Sequence, residues 1–401
     1  MTGVTALQAL RSPNFALLWS AQVVSGFGDK VTVFALAFVT WQITRSALST
    51  ALAVVISTLP YAVFGFFGGA IADAFGHRRA MILCDLVRMV TIAAIPGVLA
   101  LGGPLAITYG LVLVAALCTA VFNPARLAIV PDLVPADRLG ASNSMVYASD
   151  RTVEILGTLL AGVLVAALAE RAFYVDAATF GLSAFLLVRI ALEERPPRAI
   201  SWHGILADAA DGVRIIRDHP VLRSNTAFSL LAQLSLPMVN GLTPVLIFRE
   251  YRLGPEQLGA TEASIALGAV VAGLSLPALG EVRKGRAIIF GFAMLGVVLI
   301  GIAASPSFSV SLGLFVLVGV ANVIFFVPNV TLSQEVTPPA LRARVFGSRT
   351  ALLHLTWLPI ILVTGRLADV YSVQVLLGVA GVFTIAVAIG GAFFRSVRDV
   401  A

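Results

Sequence analysis

Long apolar runs, separated by short polar segments, occupy most of this 401-residue chain. A helix needs about 20 mostly apolar residues to cross the hydrocarbon core of a bilayer. In the first half such runs lie near 14–40, 48–71, 80–101, 104–123, 143–167 and 172–190. In the second half they lie near 224–248, 257–280, 286–304, 308–329, 346–366 and 373–394. The pattern predicts an all-α integral membrane protein of twelve transmembrane helices in two pseudo-symmetric six-helix bundles.

A polar stretch between the two sets of runs predicts the domain organisation. We expect an N-terminal bundle of residues 1–190, a cytoplasmic linker of residues 191–223 and a C-terminal bundle of residues 224–401. The linker contains one apolar helical face, formed by Ile205, Leu206, Ala209, Val213 and Ile216. This face favours an amphipathic helix on the cytoplasmic membrane surface. A solvated tether that joins two bundles explains the segment equally well.

Two motifs recur in the second half at a constant offset. Phe122-x-Pro124 and Pro135-Ala136-x-Arg138 recur as Phe326-x-Pro328 and Pro339-Ala340-x-Arg342. The predicted span boundaries place both motifs in the loops that follow the fourth and the tenth span. Equivalent motifs in equivalent loops indicate two six-helix repeats that face each other across a central path. We therefore expect the substrate cavity between the halves.

Composition and charge support a membrane protein. Hydrophobic residues make up 59% of the chain and charged residues 12%, about half the charged share of soluble proteins. The net charge of +6 comes mainly from short loops, which indicates membrane orientation and not nucleic-acid binding. Few of the 27 Lys and Arg residues fall in the predicted outer loops: Arg45, Arg171, Arg249, Arg252 and Arg366. This asymmetry predicts that both termini are cytoplasmic.

Several classes of protein find no support in the sequence. A phosphate-binding loop of the G-x-x-x-x-G-K-[ST] type is absent, as are a Ser/His/Asp arrangement and metal-ligand spacing, so we expect neither an ATPase nor another enzyme. Cys84 and Cys118 lie inside apolar runs and are interpreted as small core residues. The first run is too long for a cleavable signal peptide. We expect a monomer without cofactor or metal, whose partners are a small-molecule substrate, protons and the lipid bilayer.

The loop between the second and third runs, GGAIADAFGHRR, carries the most specific motif. A tight turn needs a glycine at Gly76, and close helix approach favours Gly68 and Gly69. The loop resembles the signature G-x-x-x-D-[R/K]-x-G-R-[R/K] of the major facilitator superfamily, with matches at Gly69, Asp73, Gly76, Arg78 and Arg79. The resemblance implies a cytoplasmic gate, in which Asp73 pairs with a basic residue or caps a helix in one conformation only. A tight inner turn with positive charge is the alternative.

The resemblance extends along nearly the whole chain. SPNFALLWSAQVVSGFGDKVTVFALAF, TRSALSTALAVV and HPVLRSN look like the drug and siderophore export branch, which includes macrolide efflux proteins and the enterobactin exporter. The fifth span reads Gly157-Thr158-Leu159-Leu160-Ala161-Gly162 where such exporters often carry G-P-x-x-G-G. Members of the superfamily often have an arginine within the fourth span. In this sequence the nearest candidate, Arg126, lies beyond the predicted end of that span. The resemblance implies a proton-coupled transporter of the bacterial cytoplasmic membrane that works by alternating access.

Ionisable residues at membrane depth cost a few kcal/mol each, about 2.5–3.5 on insertion scales, and are therefore functional candidates. Asp29 lies near the middle of the first span, on a polar stripe with Gln22 and Ser25. Burial favours the protonated carboxyl there, whereas water or a cationic substrate favours the carboxylate. Asp29 is therefore the first candidate for proton coupling. The alternative is a permanent ion pair with Lys30 or with a basic residue of another helix.

Other charged residues give weaker candidates for proton coupling. Asp150 and Glu154 stack at i, i+4 in the fifth span, and Arg151 is expected to pair with Glu154, as a proton relay or as a neutral packing group. His354, at the position equivalent to Asp150 in the second repeat, fits a pH sensor or a neutral histidine bonded to a carbonyl.

Two further charges are assigned to the gate. Asp85 and Arg88 lie in the cytoplasmic third of the third span, close to Arg78 and Arg79. We interpret Asp85 and Arg88 as supports of the cytoplasmic gate and not as cavity residues.

The predicted substrate cavity has polar and aromatic walls. Its residues are Gln22, Ser25, Asp29, Phe34 and Tyr61 in the first repeat and Ser229, Gln233, Asn240 and Phe326 in the second. Such walls suit bulky amphipathic compounds, cations above all, better than sugars. The sequence thus predicts multidrug efflux. A siderophore or metabolite exporter and a proton-coupled uptake symporter are the alternatives, and polar contacts between helices explain the neutral residues equally well.

Overall fold

The computed structural model describes residues 10–135, 138–192, 202–232, 234–275, 283–338 and 341–393. Within these ranges the regular structure is helical throughout.

The helices of the first half follow the apolar runs. They are α1 (Pro13–Thr44), α2 (Ala47–Phe75), α3 (His77–Ala100), α4 (Leu105–Leu133), α5 (Leu139–Thr152), α6 (Thr158–Leu168) and α7 (Ala172–Val188). A π-helical turn, Val153–Gly157, joins α5 to α6.

The helices of the second half begin with the linker. They are α8 (Trp202–Asp218), α9 (Pro220–Ala232), α10 (Leu236–Val245), α11 (Pro255–Ser275), α12 (Lys284–Ala303), α13 (Phe308–Val336), α14 (Arg342–Leu355), α15 (Trp357–Val370) and α16 (Val373–Phe393). A second π-helical turn, Leu246–Glu250, follows α10.

Ten helical segments of the described residues are long and apolar enough to cross a bilayer. The longest, Ala141–Val188, has 48 residues, far more than the roughly 20 that one crossing needs. It is interrupted by the 3₁₀ turn Ala169–Arg171, where Ala169 has a positive φ of 48°. The prediction of an all-helical, multi-pass membrane protein is confirmed, whereas the exact count of twelve spans stays a prediction.

The chain divides into two compact units. The N-terminal unit contains residues 1–40 and 56–201, and the C-terminal unit contains residues 41–55 and 202–401. The last residues of α1, 41–44, and the first residues of α2, 47–55, thus belong to the C-terminal unit. The boundaries proposed from the sequence, at residues 190 and 224, stay a prediction.

Helix α4 is longer than the apolar run that predicted it. It continues through Pro124 and Pro131 to Leu133, so Arg126 lies inside the helix and not beyond its end. The motif Phe122-x-Pro124 is therefore helical, and its counterpart Phe326-x-Pro328 lies inside α13. The predicted loop position of the Phe-x-Pro motif was therefore wrong in both repeats, whereas the Pro-Ala-x-Arg motif lies partly outside the described residues. An apolar run ends at the first charge, but a helix continues wherever that charge finds a partner, as Arg126 does in Asp150.

Helix α8 packs on α14 within the C-terminal unit. Gly212 faces α14 so closely that a Cβ atom there would overlap the Ser348 hydroxyl and the Arg344 carbonyl oxygen. Ile216 is buried against Val345, whereas Val213 is exposed. The two residues were predicted to share one membrane-facing stripe, and the structure separates them. The side of the predicted apolar face that contains Ile216 is therefore covered by α14, which packs closely because Gly212 has no side chain.

Two glycines bring α11 and α13 into backbone contact in the C-terminal unit. A Cβ atom on Gly319 of α13 would overlap the Ile265 carbonyl oxygen of α11. A Cβ atom on Gly268 of α11 would overlap the Val316 carbonyl oxygen of α13. Small residues at reciprocal positions are the usual means of close helix packing in membranes.

We expect Gly319→Ala to destabilise the protein by about 1–3 kcal/mol, the usual cost of forcing extra volume into a packed interface. The matched control is Gly313→Ala on the same helix, where an added Cβ meets no atom within 4 Å. That control should be neutral or stabilising by about 0.5–1 kcal/mol because alanine favours helix. Thermal unfolding of the detergent-purified variants tests both expectations. Equal melting temperatures for the two variants would contradict this account of the contact.

Candidate functional site

A buried ion pair forms the centre of the N-terminal unit. Asp85 and Arg88 of α3 are spaced i, i+3, and the Arg88 guanidinium pairs with the Asp85 carboxylate. Both side chains are buried, and Ser183 of α7 donates a hydrogen bond of 2.6 Å to Asp85. The guanidinium carbon lies 4.6 Å and 4.2 Å from the ring centres of Phe122 and Phe180. Arg88 is therefore held by charge and by aromatic faces at once.

Asp29 of α1 is the second carboxylate beside this arginine. Its Oδ1 lies 3.7 Å from Nη1 of Arg88, and 40% of its side-chain surface is accessible. Lys30, the neighbouring candidate partner, binds Glu154 instead, at 2.8 Å. Of the two alternatives to proton coupling, a pair with Lys30 or with a basic residue of another helix, the structure shows the second. The pair of Asp29 with Arg88 of α3 is long and partly accessible. Such a contact leaves the carboxylate able to change partners.

Asp85 and Arg88 lie in the core of the N-terminal unit, where Asp85 binds Ser183 of α7 and Arg88 contacts Asp29 of α1 and Phe180 of α7. Their predicted role as supports of the cytoplasmic gate stays a prediction. Arg78 lies elsewhere, where its guanidinium donates to the carbonyl oxygens of Leu187 and Val188 at 3.1 Å and 2.5 Å. The third span is a helix of 24 residues, so charges two to three turns apart serve different environments.

Asp176 of α7 is a third carboxylate, which the interpretation of the sequence overlooked. It is fully buried and accepts hydrogen bonds from Thr32 of α1 at 2.5 Å and from Thr179 at 3.2 Å. Gly28 makes room for it, because a Cβ atom there would overlap the Asp176 carboxylate and the Thr179 hydroxyl. The signal was present, since Asp176 is an acidic residue inside the apolar run 172–190.

A cavity of about 200 Å³ opens beside these carboxylates within the N-terminal unit. Its polar lining consists of Asp29, Thr32, Ser57, Thr119, Asn123 and Asp176. Phe180 is an aromatic residue of the lining, whereas the predicted Phe34 is buried in the core of the unit. The side chain of Tyr61 lies outside the described part of the structure. Two carboxylates, an aromatic ring and several hydroxyls form a suitable environment for a cationic group.

The polar stripe on α1 continues toward α5. Gln22 donates to Asp150 at 2.8 Å, and the guanidinium of Arg126 makes two bonds to the same carboxylate, at 3.1 Å and 3.2 Å. Ser25 is buried on the same helix. Asp150 is thus engaged by two partners, as in the packing interpretation of this cluster.

The predicted pair between Arg151 and Glu154 was wrong. Glu154 lies in the π-helical turn Val153–Gly157 and binds Lys30 of α1. Arg151 lies over the ring of Tyr147, with its guanidinium carbon 5.3 Å from the ring centre. The extra residue in a π-helical turn changes the i, i+3 geometry from which that pair was predicted.

The C-terminal unit contains a neutral network around a buried arginine. Arg349 of α14 is 5% exposed and donates to Ser229 at 2.7 Å and to the amide oxygen of Asn329. Asn225 also binds Asn329, at 2.8 Å. Ser229 is therefore a buried member of this network, whereas Asn240 is exposed, and their shared polar wall stays a prediction.

The remaining predicted residues of the C-terminal unit lie apart from this network. Phe326 is exposed, and Gln233 lies outside the described residues. Nδ1 of His354 lies 2.9 Å from the Thr350 carbonyl oxygen, the geometry of a histidine bonded to a backbone carbonyl. Its ring also lies 5.1 Å from that of Trp357.

The residues of the predicted gate follow one another around the turn between α2 and α3. Gly76 has a φ of 85°, the left-handed conformation that glycine adopts without strain. Asp73 contacts Nε2 of His77 at 2.8 Å, one helical turn away. Gly68 approaches α4 so closely that a Cβ atom would overlap the Ala120 carbonyl oxygen, whereas Gly69 has ordinary space. Closure of the cytoplasmic side by Asp73, Arg78 and Arg79 stays a prediction.

The structure offers no metal centre in the residues it describes: no group of three or more His, Cys, Asp or Glu side chains could hold an ion there. Cys84 and Cys118 are both free thiols.

Comparison with known proteins gives one consistent family. A model of the Major Facilitator Superfamily matches residues 18–358. The multidrug efflux pump Tap of Mycolicibacterium fortuitum is 28% identical over 395 residues, which cover 93% of this chain and 96% of the relative. Macrolide efflux protein A of Streptococcus pyogenes is 23% identical and covers 96% of each chain. The predicted resemblance to the drug-export branch is confirmed by these relatives.

Solved structures show the same fold at low identity. The POT family transporter PepTSo aligns with a TM-score of 0.76 at 14% identity and covers 95% of this chain and 97% of its own. A point mutant of the nucleoside transporter NupG aligns with a TM-score of 0.74 at 13% identity and covers 95% of this chain and 98% of its own. At such identities the likeness concerns the fold alone.

Proposed function

This chain belongs to the Major Facilitator Superfamily, and from that premise we propose that it exports small amphipathic compounds, organic cations in particular, in exchange for protons. The observation that supports the proposal is Asp29, a partly accessible carboxylate on a cavity wall whose nearby cation, Arg88, is already paired with Asp85. The efflux relatives support the direction of transport. The chain acts as a transporter of the bacterial cytoplasmic membrane, with both termini in the cytoplasm.

In this proposal, ligand and proton are coupled through the charge of one carboxylate. An ionised Asp29 attracts a cation in the cavity, and the ring of Phe180 and the apolar lining stabilise the rest of an amphipathic molecule. A proton on the same carboxylate removes that attraction. Cation and proton therefore compete for one site, and alternating access of this site to the two sides of the membrane gives exchange.

Transport in proteoliposomes tests this function directly. We expect vesicles with an acidic interior to accumulate ethidium, a cationic aromatic dye, because protons that leave drive the dye inward. Reversal of the pH gradient should abolish accumulation, whereas a symporter would accumulate the dye only with the reversed gradient. Protein-free vesicles correct for passive dye entry. Dye movement that is insensitive to the gradient in both directions would contradict proton-coupled export.

A further inference from the structure

Asp176 is held by hydroxyl groups. Thr32 donates to one carboxylate oxygen at 2.5 Å, and the Thr179 hydroxyl, which donates to the Asp176 carbonyl oxygen at 2.7 Å, lies 3.2 Å from the other. In the described part of the chain no Lys, Arg or His lies within 4.0 Å of this carboxylate, which is fully buried yet borders the cavity. An ionised carboxylate without a cation in such a place is strongly disfavoured, so the neutral acid is the expected form.

The charges around the cavity point the same way. Arg88 is paired with Asp85, Lys30 with Glu154, and Arg126 with Asp150. Of the two carboxylates on the cavity wall, Asp29 keeps the more distant contact with Arg88, at 3.7 Å, and Asp176 lies farther from it. Both cannot be ionised without two negative charges beside one small cavity. Because Asp29 lies nearer to Arg88 and is the more accessible, the proton resides on Asp176.

We propose that Asp176 is a second proton-carrying residue of the transporter and titrates together with Asp29, so that the coupling group is this pair of carboxylates. The inference rests on the proposed proton-coupled export. When an organic cation enters the cavity, its charge replaces that of the proton, and the proton passes from Asp176 to water. Thr32 connects Asp176 with the cavity, because Thr32 donates to the Asp176 carboxylate and also lines the cavity.

The other ionisable groups around this pair come from three helices. They are Lys30 on α1, Asp85, Cys84 and Arg88 on α3, and Arg126 and Cys118 on α4. Arg88, Lys30 and Arg126 are paired with Asp85, Glu154 and Asp150. Asp29 and Asp176 are therefore the carboxylates of this set that line the cavity and can meet a cationic ligand.

The test compares ethidium binding to the purified full-length protein and to Asp176→Asn, between roughly pH 5 and 9. Asparagine keeps the shape of the neutral acid but carries no exchangeable proton. For the unaltered protein we expect a pH dependence steeper than one titrating group gives. For Asp176→Asn we expect the slope of a single group and a midpoint about one pH unit lower, because the proton that is released at higher pH, that of Asp176, is missing. An indicator dye in weakly buffered detergent should report fewer protons released per ethidium bound.

Two further variants make the result specific. Thr32→Val keeps the carboxylate but removes a donor to its ionised form, so the midpoint should move to higher pH, and this variant serves if Asp176→Asn fails to fold. Asp369→Asn is the matched control, since Asp369 accepts the Ala47 amide hydrogen in the C-terminal unit and should leave slope and midpoint unchanged. An unchanged slope and midpoint in both Asp176→Asn and Thr32→Val would overturn the inference. Failure of the proposed export differs, since ethidium binding to the unaltered protein would then not depend on pH.

Discussion

Arg88→Met is expected to destabilise the protein by about 3–5 kcal/mol, the usual cost of removing one partner of a buried ion pair. The substitution leaves Asp85 fully buried with Ser183 as its remaining hydrogen-bond partner in the described structure. Methionine retains much of the apolar contact with Phe122 and Phe180. The loss should appear as a lower thermal unfolding midpoint of the detergent-purified protein and as a smaller folded fraction in membranes.

The double variant Asp85→Leu with Arg88→Met separates charge from packing. Replacing a whole buried pair by apolar residues is often neutral or stabilising, so we expect most of the lost stability to return. Lys30→Met is the control for an ion pair that is partly exposed, and it should cost no more than about 1 kcal/mol. A double variant as unstable as Arg88→Met alone would show that the contacts with the aromatic rings, and not the ion pair, hold this core together.

The sequence predicted the helices well because apolar length is a strong constraint in a membrane. Runs such as 80–101 correspond to helices such as α3 within a few residues. It failed where a helix continued past its apolar run. Arg126 seemed to end the fourth span, yet α4 continues beyond it because the Arg126 guanidinium forms an ion pair with Asp150 of α5. Such a partner is set by the tertiary structure, which one sequence does not reveal.

The site was only partly predictable for a similar reason. Asp29 was found because a carboxylate in the middle of an apolar run is unusual. The same argument applied to Asp176. However, Asp176 lies close to α1, the helix of Asp29, only because Gly28 has no side chain, and the sequence alone does not show that contact. The spacing of residues along the sequence also did not predict which basic residue binds Glu154. Glu154 lies near Arg151 along the helix, yet the π-helical turn presents it to Lys30.

The two repeats use equivalent helices for unlike chemistry. In the N-terminal unit Arg126 of α4 binds Asp150 of α5, which also binds Gln22 of α1. In the C-terminal unit Arg349 of α14 binds neutral groups on α9 and α13, namely Ser229 and Asn329. The arginine lies on α4 in the first unit but on α14, the counterpart of α5, in the second, where its partners are neutral. Of these two networks, the one with an acidic member is therefore the one that includes α1, the helix of Asp29.

Asp29→Asn should strongly weaken proton coupling and leave folding intact. The amide has nearly the same shape, and the ion pair that stabilises the core, between Arg88 and Asp85, is untouched. In the unaltered protein, protonation of Asp29 as the pH falls should weaken ethidium binding by about 5- to 150-fold, the usual range of coupling between two ligands. In the variant only the shallower dependence of one titrating group, Asp176, should remain, and accumulation driven by a pH gradient should fall sharply.

Exchange of labelled for unlabelled ethidium without a gradient distinguishes lost coupling from lost transport. We expect Asp29→Asn to retain this exchange, because it requires alternating access but no proton. A neutral aromatic analogue of similar shape should bind both proteins with little pH dependence, since it has no charge for Asp29 to attract. Full gradient-driven accumulation by Asp29→Asn would exclude this residue as the coupling carboxylate. If Glu154→Gln lost accumulation instead, the proton would be carried at the Lys30 pair between α1 and the π-helical turn.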